Sequence, residues 1–296
     1  MEMLNIIVLT YNEEPNLSFC LASIQGLSQN IFVVDSGSTD RTVEIAQQFG
    51  ARVFTHPFTN QAEQLNWALE NLPIQSEWIL RLDADEYLST ELRDEIAVTL
   101  QNVSLEVSGF YIKYRMIFLH RWIRYGGYYP VWILRLFRPR MARCDRVEMD
   151  EKMVLLEGTS AKLKNDFIHH DRKGMTAWLL KHDTYAARQA RTLQYLQEEK
   201  GEDRIQPKLL GNQAERKRWL KRNFYGRTPL FLRAFCYFLY RYFLRFGFLD
   251  GIPGLIFHFL HAGWYLFYVD AKTYEARFTL ESLNGVRDSP QGTPST

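Results

Sequence analysis

Short, uninterrupted apolar runs alternate with polar turns through the first third of the chain. Leu4 to Leu9, Asn30 to Val34, Ala51 to Phe54 and Trp78 to Leu82 each read as a strand, because strands covered on both faces lose the apolar and polar alternation of half-exposed ones. Pro15 suits the first turn of a helix, and Thr42 to Phe49 reads as a helix that Gly50 stops. Strand, polar turn and helix in repetition predict an α/β fold, a mostly parallel sheet flanked by helices, in which ligands collect beyond the carboxyl ends of the strands. Three polar segments stand at such ends: Tyr11 to Glu13, Asp35 to Asp40 and Asp83 to Asp85. Leu163 to His169 reads as a late strand returning to the sheet, with His169 and His170 on opposite faces.

The pattern then changes. Thr176 to Glu199 is amphipathic with a helical period, and Arg216 to Arg222 packs five basic residues into seven around Trp219. Pro229 to Phe246 is apolar but punctuated by Arg233, Arg241 and Arg245, and Gly251 to Val269 holds 19 residues without Asp, Glu, Lys or Arg. The second run is just long enough to span a bilayer. Its glycines, Pro253, His258 and His261 weaken that reading, and the first run is too charged, so the expectation is a helical hairpin lying in a membrane interface, with Arg snorkelling to headgroups. A dimer interface or a covering layer on the first domain is the alternative.

Charge sharpens the division. Residues 1–100 carry 15 acids against 4 Lys or Arg and the remainder 19 against 32, so a net of +2 hides −11 beside +13. Such asymmetry points to an anionic partner. Basic residues interleaved with aromatics also suit nucleic acid, but a basic cluster beside a long apolar hairpin fits an anionic membrane better, and no nucleic-acid partner is expected. Cys20, Cys144 and Cys236 are odd in number and widely spaced, as free thiols in a reducing compartment would be. No basic stretch with an apolar core precedes the first strand, so no secretory signal is expected.

Asp83-Ala84-Asp85 offers the clearest chemistry. Two carboxylates spaced i, i+2 at a strand end suit Mg²⁺ or Mn²⁺, one directly and one through water, with positions left for phosphate oxygens. Together with Val8-Leu-Thr-Tyr-Asn-Glu13 and Val33-Val-Asp-Ser-Gly-Ser-Thr-Asp40, in that order, Leu82-Asp-Ala-Asp-Glu86 makes residues 4 to 170 resemble the nucleotide-sugar half of a family 2 glycosyltransferase. The likeness is closest to smaller enzymes that add sugars to lipopolysaccharide cores or other bacterial surface glycans. It implies a GT-A, Rossmann-like fold. It also implies that Asp35 reads the base, uracil by preference, that Thr10, Tyr11 and Glu13 flank base and ribose, and that Asp83 meets ribose or metal. Asp85, Asp83 and His169 would hold the metal beside the diphosphate.

For inverting transfer the acceptor hydroxyl needs a base. The resemblance places it at Asp150 or Glu151, with Glu151 at the position of the family's acid and Asp150 in place of a histidine. Val107 to Cys144, with eight basic residues and no acid among many aromatics, suits the acceptor side, where rings stack on sugars and Arg pairs with phosphate. The expected layout is a catalytic domain over 1–172, an amphipathic and basic segment over 173–226, the apolar hairpin over 227–280 and a polar tail over 281–296. The expected partners are a nucleotide-sugar donor, a glycan or lipid-linked acceptor, an anionic membrane surface and a second copy in a homo-oligomer. The expected place is cytoplasmic, peripheral on the inner face of the cell membrane. A sugar transferase acting on polyprenyl phosphate would use the same donor half, whereas processive synthesis is disfavoured because Gln213-Ala-Glu-Arg216-Lys217 only imperfectly echoes the motif of those enzymes.

Overall fold

The computed structural model describes residues 3–145, 153–198 and 229–287. Asp150, Glu151, the Arg216 to Arg222 cluster and the tail from Ser289 lie outside the described residues. The chain forms two compact units, Met1–Ala177 with Gly247–Gly254, and Trp178–Phe246 with Leu255–Thr296.

The first unit is built on β1 (Leu4–Thr10), β2 (Asn30–Asp35), β3 (Arg52–Thr55), β4 (Trp78–Asp83), β5 (Glu86–Leu88), β6 (Val107–Phe118), β7 (Arg121–Ile123), β8 (Trp132–Phe137), β9 (Ala142–Cys144), β10 (Met153–Leu155) and β11 (Thr159–His169). Nine of these make one sheet in the order β3-β2-β1-β4-β8-β6-β11-β5, with β7 paired to β6, while β9 and β10 pair separately. From β3 to β4 every pairing is parallel. Beyond β4 the sheet is mixed, since β8 runs antiparallel to both β4 and β6, whereas β6 and β11 are parallel.

Burial explains the apolar runs. In β1, Leu4, Ile6 and Val8 join a core with α1 (Glu14–Ile24), α2 (Thr42–Gln48) and α4 (Thr90–Gln101), while Ile7 and Leu9 join another beneath α3 (Gln61–Asn71). Because successive side chains point to opposite faces, a strand covered on both sides must be apolar throughout. Pro15 lies in the first turn of α1 as expected. Asn60 caps α3 by accepting the Glu63 amide at 2.8 Å, and Ser89 caps α4 by accepting the Leu92 amide at 3.1 Å.

Register brings the polar strand ends level. Thr10 of β1 stands opposite Asp35 of β2, and Leu9 opposite Asp83 of β4. At the far edge, β5 runs antiparallel to β11 and sets Glu86 opposite His169. The return of Gly247–Gly254 to this unit is secured by Asp250, whose Oδ2 accepts the amides of Arg124 and Tyr125 at 3.1 and 2.9 Å.

The second unit holds most of α5 (Gly174–Glu198), then α6 (Leu232–Leu239), the latter half of α7 (Gly251–His258), and α8 (Tyr265–Arg287). A π-helical turn follows α6 at Tyr240–Leu244, and another joins α7 to α8 at Phe259–Trp264. Asp270 pins the start of α6: it pairs with the buried Arg233 guanidinium and accepts the Phe231 amide at 2.7 Å. Asp183 ties α5 to α8 through the Tyr268 hydroxyl at 2.7 Å and Lys272 at 2.9 Å. Among the described residues one helical run, Gly247–Ala276, is long and apolar enough to cross a membrane, with mean hydropathy 1.2, and only 33% of its most apolar window is buried by the chain.

Candidate active site

The loops after β1 and β2 are hydrogen-bonded to each other at several points. Asn12, at φ 51°, donates its amide to Ser38 Oγ at 2.8 Å and accepts the Thr39 amide on Oδ1 at 2.8 Å. The Glu13 amide reaches Thr42 Oγ1 at 2.7 Å and the Glu14 amide Asp40 Oδ2 at 3.1 Å. Asp40 also accepts the Thr42 amide at 3.0 Å. Burial raises its pKa, but these donors outweigh burial and hold it below the usual value.

Asp35 is buried within this framework. Its Oδ1 accepts from the hydroxyls of Thr10 at 3.0 Å and Ser38 at 2.5 Å, and its Oδ2 from the amides of Gly37 at 2.9 Å and Ser38 at 2.8 Å. Four donors match the four lone-pair positions of a carboxylate. Gly37 stands at φ 88°, a conformation only glycine adopts without strain, and this turn aims its amide at Asp35. The residue expected to read the base is therefore turned toward its own loop. Tyr11, in contrast, is 54% exposed.

Glu13 faces the other way. Its Oε1 meets Lys173 Nζ at 2.6 Å and its Oε2 accepts from Asn16 Nδ2 at 2.8 Å. Burial pushes its pKa up to about 7, with the Asp85 charge adding to the rise and Lys173 opposing it. The segment after β11 is thereby clasped to the first loop: Lys173 also reaches the Tyr11 carbonyl at 3.2 Å, and Asn16 takes the Arg172 amide at 2.8 Å.

Asp83 and Asp85 end up in different surroundings. Asp83 Oδ1 accepts from Arg81 Nη2 at 2.6 Å and Gln61 Nε2 at 3.0 Å, and Oδ2 from Arg135 Nη2 at 3.1 Å. Arg135 also pairs with Glu86, whose Oε2 accepts the Asp83 amide at 3.0 Å. Asp85 Oδ2 lies 3.5 Å from His169 Nε2. His170 donates its amide to the Asp85 carbonyl at 2.8 Å, while its ring faces His120.

Asp83 and Glu86 thus pair with two guanidiniums, Arg81 and Arg135, in a largely buried place, with the Asp85 charge felt at Glu86. Burial, with Asp83 and Asp85 beside it, pushes the Glu86 carboxyl well above the usual range despite Arg81. Among the described residues no group of three or more His, Cys, Asp or Glu is placed to hold a metal ion. Asp85 and His169, 3.5 Å apart, are a pair that could hold a divalent cation if substrate phosphates completed its shell. The residues fit a metal on those terms. Asp83 fits less directly, because guanidinium and amide groups already hold both of its oxygens.

Several contributors were not legible as site residues. Gln61 lies in the first turn of α3, and Gln64, one turn on, donates to Ser36 Oγ at 3.0 Å. Arg135 sits in the stretch expected to meet acceptor phosphate, yet it faces inward. Lys113 and Arg115 of the same stretch pair with the buried Asp166 at 3.0 and 2.6 Å. The Arg115 and Arg124 guanidiniums lie against the Trp122 ring at 5.0 and 5.3 Å. Much of this basic and aromatic surface is thus engaged within the fold.

The family model for Glycosyl transferase family 2 matches residues 5–150. An uncharacterized glycosyltransferase of Rickettsia felis is 42% identical over 96 residues, 32% of this chain and 33% of that protein. The chain therefore spans about a third of the length of the rickettsial relatives it matches. The lipopolysaccharide core biosynthesis glycosyltransferase LpsC of Rhizobium meliloti is 28% identical over 198 residues, covering 63% of this chain and 70% of that one. Among solved structures, Staphylococcus aureus TarS 1-349 in complex with UDP-GlcNAc aligns over 94% of this chain and 92% of its own at 14% identity and a TM-score of 0.48, too loose a likeness to bear on residue roles.

Proposed function

We propose, from the premise that residues 5–150 form a glycosyl transferase family 2 domain, that this protein transfers a sugar from a nucleotide-diphosphate sugar to a hydroxyl of a surface glycan or glycolipid, with inversion and one sugar at a time. The observation that carries this is the meeting of three polar strand ends with His169, which lies 3.5 Å from Asp85. The likeness to LpsC supports a lipopolysaccharide-core acceptor.

Each group then has a task. Tyr11 offers an exposed ring face to the base. Asp35 shapes the floor of the base site and accepts the imino hydrogen of uracil when one loop donor gives way. Glu13, already charged in part near neutrality, accepts from ribose hydroxyls. Asp85 and His169 would hold Mg²⁺ or Mn²⁺, which when bound stabilises negative charge on the departing diphosphate. Asp83, braced by Arg81, Arg135 and Gln61, would orient the ribose and, through water, help to hold the metal. Glu151, or its neighbour Asp150, takes the acceptor proton from the face opposite the diphosphate. The protein works at the cytoplasmic face of the membrane, held there by the apolar helices of the second unit.

Two variants test the assignment. Asp85→Asn nearly conserves volume and should abolish Mn²⁺-dependent protection of the protein by UDP against thermal unfolding, together with transfer. Protection equal to that of the parent would exclude Asp85 as a ligand. Glu151→Gln should lower kcat by roughly 10²- to 10⁴-fold with donor binding unchanged. A larger loss in Asp150→Asn would move the base by one residue, and no loss in either would favour a phosphate acceptor such as polyprenyl phosphate, which needs no strong base.

A further inference from the structure

Within the second unit, α6, the π turn at Phe259–Trp264 and the start of α8 enclose an open cavity of about 420 Å³. Its walls are Phe235, Phe238, Phe259, Trp264 and Phe267, and its floor is opened by Gly263. Volumes of about 300–1,000 Å³ are those of small-ligand sites, yet this one lacks the few placed polar groups that orient a soluble ligand. An extended peptide strand would bring amides and carbonyls that these walls cannot satisfy. A hydrocarbon chain brings none.

The surroundings select among apolar occupants. Of the cavity's walls Phe235, Phe259 and Phe267 are more than half exposed, and so are Phe243, Leu244 and Phe246 in and just after the turn that follows α6, so the cavity opens outward beside further exposed apolar side chains. A stretch of this size on a soluble surface marks an interaction site. Pro229 to Phe246 contains Arg233, Arg241 and Arg245 and no acid. Arg233 is buried against Asp270, whereas Arg245 is exposed and Arg241, half-buried, donates to the Tyr237 hydroxyl at 2.7 Å. A second copy seated on this face about a two-fold axis would set the same cationic segment against itself, with no carboxylate there to answer it. An anionic headgroup answers it directly.

We infer that this aromatic groove holds one hydrocarbon chain of an anionic membrane phospholipid, with Arg241 and Arg245 at the level of its headgroup. The inference rests on the membrane contact proposed above and goes beyond it. Interfacial binding needs only an apolar face, whereas a groove takes a single chain out of the bilayer and fixes the depth and rotation of the helices. Gly263 gives access to the test. Gly263 lines the groove, and a Cβ added there would have as its nearest neighbours side-chain atoms of Phe259 at 3.4 Å and Phe238 at 3.7 Å, ordinary contacts, so a larger side chain there competes for the groove's space.

The full chain is mixed with phosphatidylcholine vesicles containing phosphatidylglycerol, a trace of the latter bearing a photoactivatable diazirine on its chain, and adducts are mapped after irradiation. Adducts should concentrate on Phe235, Phe238, Phe259 and Phe267, and Gly263→Leu should reduce them at least fivefold while co-sedimentation with the vesicles and the unfolding midpoint stay unchanged. If Gly263→Leu lowers the midpoint, Phe235→Ala, which removes an exposed wall, serves in its place with the same expected loss. Adducts spread evenly over Leu244, Phe246 and the groove, and indifferent to both variants, overturn the groove while leaving the membrane contact standing. Absence of co-sedimentation at low salt overturns both. A dimer in light scattering that Gly263→Leu converts to a monomer, with adducts unaltered, gives the groove to a second copy instead.

Discussion

Glu13→Gln isolates the consequence of burying a carboxylate beside Lys173 and Asp85. The substitution keeps the shape and the hydrogen bond with Asn16 but removes the titration. In the folded protein the Glu13 pKa is raised from 4.5 to about 7, chiefly by burial. A raised folded pKa means that the native state holds the proton more tightly than the unfolded chain, so this group's contribution is fully present below pH 4.5 and lost as pH rises through about 7. At about 1.36 kcal/mol per unit, the rise from 4.5 to about 7 amounts to about 3 kcal/mol. The parent and Glu13→Gln should therefore be equally stable near pH 4.5, and by pH 8 the variant should lead by about 3 kcal/mol. Urea unfolding at closely spaced pH values reads the difference directly. A difference that stays flat, or that favours the parent as pH rises, would refute the reasoning and show that the 2.6 Å contact with Lys173 outweighs the cost of burial.

Two further perturbations probe the buried charges. Arg135→Met leaves Glu86 and Asp83 facing each other with one guanidinium fewer and should cost about 3–5 kcal/mol in urea, most of which Arg135→Met with Glu86→Leu should restore, because no charge is then stranded. An undiminished midpoint in the single variant would show that Arg135 is dispensable to the network. Asp270→Ala strands the Arg233 guanidinium and the Phe231 amide and should cost the second unit about 3–5 kcal/mol. Amide exchange should accelerate across Leu232–Leu239 and remain slow in Leu4–Thr10, and acceleration in both would mean that the two units unfold together.

The first part of the sheet was legible because its strands are covered on both faces. Leu4 to Leu9, Asn30 to Val34 and Trp78 to Leu82 announce themselves as apolar runs, and the polar residues that follow them mark the strand ends. What escaped was set by partners distant in sequence. Arg135 reads as one more cation in a basic stretch until β8 is laid antiparallel to β4, 49 residues from Glu86. Gln61 and Gln64 lie in a helix whose apolar positions are few, so nothing in the sequence draws them toward Asp83 and Ser36. In the C-terminal part the apolar character was plain but its geometry was not. Each π turn offsets the side chains that follow it, so a single helical period does not describe the run from Gly251 to Arg287.

The bonds between the first two loops define what can be changed separately. Asn12 serves Ser38 and Thr39, Thr42 serves Glu13, and Asp40 serves Glu14, so each loop supplies the caps and turn closures of the other. For anyone testing the proposed nucleotide site, Thr10 to Glu14 and Asp35 to Thr42 constitute one cassette. A library confined to either half would fill with members that cannot close the other, and a transplant between homologues succeeds or fails by carrying both.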